Sequence, residues 1–81
     1  MGEVARLQME IRARRQRATE ISAEIDRRVK DIKDALSGAA VAKPENLRLA
    51  MVAEISARLE KLQEEYLQLQ REIETLEKEL Q

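Results

Sequence analysis

From Val52 to Leu80 the apolar residues recur in steps of three and four without a miss: Val52, Ile55, Leu59, Leu62, Tyr66, Leu69, Ile73, Leu76 and Leu80. This is the a/d spacing of a coiled-coil seam, sustained over four heptads. The intervening positions are mostly Glu, Gln, Lys and Arg, so the apolar stripe is narrow and the remainder of the helix is wet. A lone helix cannot bury such a stripe, and the chain must set it against another helix.

The rest of the composition leaves little room for any other architecture. Of 81 residues, 38% are charged and 1% aromatic, with Tyr66 the only ring, two Gly and one Pro. A β-rich core lacks its usual β-branched and aromatic supply, whereas Ala, Glu, Leu, Arg, Lys and Gln are the residues of long helices. The length suffices for one small domain, residues 1–81.

A second, poorer heptad pattern precedes the first: Val4, Leu7, Ile11, Arg14, Ala18, Ile21, Ile25, Arg28, Ile32 and Ala35, with Val29 and Leu36 beside the line. Residues 6–14 also alternate polar and apolar, as a strand would, but the propensities of Arg, Gln, Glu, Met and Ala favour helix. A Thr19 cap would instead start the helix later and leave Arg17 and earlier residues as a separate arm. Ser37-Gly38 is a stop signal, with Gly suited to the left-handed conformation that closes a helix. Lys43 is pushed extended by Pro44, and Pro44 with Glu45 suits the first turn of a second helix. The expected elements are helix 1 over about 4–37, a loop over 38–43 and helix 2 over about 44–80. So short a loop forces the helices to lie antiparallel and adjacent.

An antiparallel hairpin requires the numbers of facing residues to add to a constant. Ile32 with Val52, Val29 with Ile55, Ile25 with Leu59, Ile21 with Leu62, Ala18 with Tyr66, Ile11 with Ile73, Leu7 with Leu76 and Val4 with Leu80 all add to 83 or 84. The largest seam residue, Tyr66, falls opposite the small Ala18. Arg14 opposite Leu69 is the poor match. Arg12, Arg14, Arg15 and Arg17 on helix 1 face the part of helix 2 that carries Glu64, Glu65, Glu72 and Glu74.

Around residues 47–59 helix 2 is apolar over more than half its circumference, through Leu47, Leu49, Ala50, Met51, Val52, Ala53, Ile55 and Ala57. A helix apolar on several sides is covered on several sides. The expected fold is therefore all-α: an antiparallel helix–loop–helix, a coiled-coil hairpin, assembling into a multi-helix bundle as a homodimer or homotetramer. The expected seam and self-association residues are Leu47, Leu49, Met51, Val52, Ile55, Leu59, Leu62, Tyr66, Leu69, Ile73, Leu76 and Leu80 on helix 2, and Ile21, Ile25, Val29 and Ile32 on helix 1. Arg14 and Arg28, both on the seam, either snorkel out along it or act as polar register residues that select a partner at some expense of stability.

Chemistry is sparse. The chain has no Cys and no His, which removes thiol nucleophiles, Cys/His zinc sites, disulfides, Ser-His-Asp sets and the usual neutral-pH proton shuttle. Di-metal carboxylate sites need Glu-x-x-His pairs, so Glu64, Glu65, Glu72 and Glu74 read as charges flanking a seam. Gly38 stands alone, without a phosphate-cradling loop. Arg12–Arg17 could meet phosphate, but no aromatic is interleaved to stack a base, and net charge is −1. No apolar h-region opens the chain and no run approaches a membrane span. The expectation is a non-enzymatic cytoplasmic protein with no cofactor, metal, small-molecule or membrane partner, and with nucleic acid a trailing alternative.

Residues 21–36, ISAEIDRRVKDIKDAL, and, after the loop, residues 44–66, PENLRLAMVAEISARLEKLQEEY, resemble the bacterial cell-division protein family ZapA. Ile25 to Lys33 matches the first part of that family's pattern, a helix with an Asp or Asn and an Arg or Lys pair. Leu47 to Leu59 matches the start of its long helix, and the remainder to Gln81 is similar to its coiled-coil stalk. The resemblance covers about residues 21–81 and implies a self-associating scaffold of the division ring, with FtsZ as partner. Two features depart from the family: Ala53-Glu54 stands where it has Leu-Asn, and residues 3–20 lack the Gly turn of its stranded, FtsZ-contacting head, which is missing or replaced. The other expected function is a small hairpin adaptor or chaperone that binds another protein's helix.

Overall fold

The structure, a computed structural model, describes residues 2–37 and 43–81. Two long helices lie side by side as a rod 63 × 14 × 14 Å, and no strand occurs among the described residues. Helix α1 spans Glu3–Ala35 and helix α2 spans Leu49–Leu80. A single 3-10 turn, Pro44–Asn46, precedes α2.

Helix α1 runs through Thr19 without interruption. The Thr19 hydroxyl does not cap a helix start; it donates to the Arg15 carbonyl one turn back, at 3.0 Å, the bond a threonine makes inside a helix. Residues 3–18 are therefore the first half of α1 and not a separate arm. Their alternating pattern yields to helix because Leu7 and Ile11, four apart and on one face, are both buried.

Both inner helix ends differ from the expected bounds. Helix α1 ends at Ala35, two residues early, because Ser37 binds back to it. The Ser37 N–H and hydroxyl both donate to the Asp34 carbonyl, at 3.4 and 3.1 Å. Gly38 and the loop as far as residue 42 lie outside the described residues. Lys43 is extended (φ −125°, ψ 109°), in keeping with the restriction its proline neighbour imposes. Pro44 does begin a turn, closed by the Leu47 N–H on the Pro44 carbonyl at 3.1 Å. Leu47 then leaves helical geometry (φ −69°, ψ 133°), and α2 starts only at Leu49. The break sets Leu47, half-buried, into a recess at the bend that Ala35, Met51 and Ile55 also line. Burial of Leu47 thus takes precedence over helix continuity.

The core is a single line of seam residues. Leu7, Ile11, Ala18, Ile21 and Ala35 of α1 and Leu62 and Ile73 of α2 are buried. The best-covered pair is Ile21, 0% exposed, with Leu62, 1% exposed. Ala18 and Tyr66 line one common recess with Ile73. The antiparallel sense is visible in the cross-helix ion pairs, since Arg17 pairs with Glu65 while the later residue Glu24 pairs with the earlier Arg58. Leu62→Ala should therefore cost about 2–5 kcal/mol in a urea titration. Met9→Ala, at a side chain 70% exposed, should stay within about 0.5 kcal/mol of wild type.

Candidate protein-interaction surfaces

The seam residues expected from the heptads fall into three groups. Ile21, Leu62 and Ile73 are buried. Ile25, Val29 and Ile32 on α1, and Met51, Val52, Ile55, Leu59, Tyr66, Leu69, Leu76 and Leu80 on α2, are half-buried, as is Leu47 ahead of α2. Leu49 is 63% exposed. Leu7, Ile11, Ala18 and Ala35, absent from that expected set, complete the core; their heptad positions are the signal that finds them. Among the described residues near the bend, the exposed apolar side chains include Leu36, Leu49, Ala50, Ala53 and Ala57.

The two seam arginines behave differently. Arg14 is half-buried and turns sideways out of the seam. Its Nε donates to Glu72 Oε1 at 2.8 Å and its Nη1 to the Glu10 carbonyl at 3.2 Å. The aliphatic stem covers the seam while the head reaches the flank, which is how an arginine is accommodated opposite Leu69. Glu72 accepts a further bond from Gln68 Nε2 at 3.0 Å. Arg28 instead lies 3.6 Å from Glu24 of its own helix. Of the two, Arg14 is the one joined to the other helix by an ion pair.

Three cross-helix ion pairs line up along one flank. On α2 their members are Arg58, Glu65 and Glu72, seven residues apart and hence on one line of the helix. On α1 they meet Glu24, Arg17 and Arg14 respectively. Arg17 holds Glu65 through two nitrogens, Nε at 2.9 Å and Nη2 at 3.3 Å, the fork geometry that matches a carboxylate. On the opposite flank a single pair crosses among the described residues, Arg15 Nη2 to Glu77 Oε2 at 2.5 Å. Glu64, Glu74 and Arg12 enter none of these bonds; Glu77, Glu24 and Arg58 are the partners sequence reasoning missed. The pair Glu24–Arg58 has the same register as Arg17–Glu65 and was open to discovery by extending it.

These bonds set the charge states of the carboxylates. The Arg58 bond holds Glu24 below the ordinary glutamate range, the Arg17 bond does the same for Glu65, and Arg14, followed by Gln68, does so for Glu72. Arg17 is correspondingly raised by its bond to Glu65. Within α1, Arg6 is bound by Glu3 and by Glu10 at 2.9 Å and is likewise raised, by Glu3 first.

Among the described residues no cluster of acidic groups could hold a metal ion, and no helix is long and apolar enough to cross a membrane. No protein-family model, no curated protein and no solved structure matches the chain. What the geometry offers is an apolar bend end, one flank closed by ion pairs and one flank left largely open.

The closed flank should respond to acid with a definite sign. Glu24, Glu65 and Glu72 have folded-state pKa values below the unfolded value of about 4.3. Their contribution is complete above that pH and is lost as pH falls through the folded values. Melting temperature should therefore drop below about pH 4.5. The triple variant Glu24→Gln, Glu65→Gln, Glu72→Gln should start lower at pH 7 and show a flatter acid limb; circular dichroism melts across pH 7 to 2.5 check this.

Proposed function

We propose that this protein is a non-enzymatic helical-hairpin scaffold that acts by binding other helices, copies of itself first. The observation that carries the reading is how little one hairpin covers. Among the described residues only seven apolar side chains are buried, while Val4, Met9, Leu36, Leu49 and Leu67 stand 39–70% exposed. A domain of this size with so thin a core ordinarily needs further burial, and association supplies it. The apolar surface of residues 47–59 at the bend is one place where a second hairpin or a foreign helix gains contact area.

Two versions of the scaffold differ in what they present. In the version the ZapA resemblance implies, the long helix forms a stalk that holds arms apart at the division ring. In the adaptor version, a closed hairpin presents its bend and outer faces to another protein's helix. The unbroken run of α1 from Glu3 to Ala35, tied to α2 at Arg14, Arg15 and Arg17, favours the adaptor. The pairings of Arg14 and Arg17 argue against a phosphate-binding role, since those two guanidinium groups are already held by Glu72 and Glu65.

A self-associating hairpin has a mass in solution that is a multiple of 9.3 kDa, and its melting temperature climbs with protein concentration because unfolding is coupled to dissociation. Sedimentation equilibrium and melts over a hundredfold range of concentration test both. Monomer mass with a constant melt at every concentration would overturn the reading.

A further inference from the structure

The flank opposite the ion-pair ladder is open in its middle. Ala18, Thr19, Ser22 and Ala23 of α1 line a recess there with Tyr66 and Gln70 of α2. None of these six side chains is charged. Arg15 and Asp26 bound the stretch on α1 and line the same recess. Leu67, beside Tyr66 on α2, is 47% exposed. Arg15 is 61% exposed although it touches Glu77, and Asp26 is exposed with no ion-pair partner among the described residues.

We propose that two copies of the hairpin pair antiparallel through this flank, about a twofold axis that passes α1 between residues 20 and 21. The inference rests on the self-association proposed above and names its surface and symmetry. Arg15 and Asp26 share one midpoint along the chain, between residues 20 and 21; so do Thr19 and Ser22, and so do Ala18 and Ala23. A twofold axis at that point brings Arg15 of each copy to Asp26 of the other, twice over, as an isologous interface requires. Between the two ion pairs, small uncharged residues meet small uncharged residues, so the helices can approach closely.

The charges choose the occupant and its direction. A parallel copy in register would set Arg15 against Arg15 and Asp26 against Asp26, which repel. The antiparallel copy gives a partner to Asp26, which bounds the uncharged stretch and has no ion-pair partner among the described residues. Residues 15–26 are the centre of the contact, and a copy lying along the full 63 × 14 Å side of the rod reaches the ~800 Å² that each partner contributes to a standard interface.

The test is a charge swap on the full chain. One variant carries Asp26→Arg. The other carries Arg15→Asp with Glu77→Gln, so that no like charges face one another inside the hairpin. Circular dichroism confirms that each is helical. Each variant alone should self-associate about tenfold more weakly than wild type or worse, because both ion pairs become repulsions. Mixed, they should form a heterodimer well in excess of the statistical share by native mass spectrometry, because both pairs are then restored. Cysteine crosslinking gives a second measurement in a chain that has no Cys of its own. A Thr19→Cys chain should oxidise to a Ser22→Cys chain faster than either does to itself, since those positions face each other across the axis. Wild type that associates while both variants associate equally well and mix statistically would overturn this surface and leave self-association standing, centred on the bend. Wild type that stays monomeric would overturn both.

Discussion

Everything in this hairpin depends on the burial of one apolar line between two otherwise polar helices. Ile21 and Leu62 are the pair most completely removed from water, and the other buried residues lie along the seam on either side of them. Neither helix could hold its form alone at this composition, because most helical stability in water comes from packing an apolar face. The chain resolves this by turning back on itself, so that the strong heptads of α2 find the weaker heptads of α1. Tyr66 and Ala18 lining one recess shows how the weaker helix contributes: where α2 is bulky, α1 is small.

The charges build on that seam. Once Ile21 faces Leu62, Arg14, Arg17 and Glu24 come within reach of Glu72, Glu65 and Arg58. Exposed pairs of this kind add little stability each. Their effect lies in specification, since a register slip by one heptad would bring Arg17 to Glu72 or to Arg58 and set like charges together in part of the ladder. Arg14 belongs to both systems. Its stem occupies a seam position and its head joins the ladder, so it interrupts the apolar line without leaving a charge unpaired.

Among the described residues three of the four cross-helix ion pairs lie on one flank, which leaves the two flanks chemically unlike. One is saturated with charge pairs, whereas the other carries an uncharged middle bounded by Arg15 and Asp26. Leu49, Ala50, Ala53 and Ala57, near the start of α2, are exposed as well.

The sequence by itself determined two helices, their antiparallel sense, the heptad lines on which the buried residues lie and the arginine–glutamate attraction between them. These are legible because heptad spacing and a short connection are local properties, and because the pairing of two periodic lines leaves few registers open. Only the tertiary structure decided the rest. It carried α1 unbroken through Thr19, stopped it at Ala35, delayed α2 to Leu49 and chose Glu77, Glu24 and Arg58 as charge partners. It also sent Arg14 to the other helix while leaving Arg28 on its own. Each of these outcomes turns on where a flexible side chain can reach or on which residue gains more by burial than by continuing a helix. Such choices depend on the distance between two elements in space, which no periodicity along one chain contains.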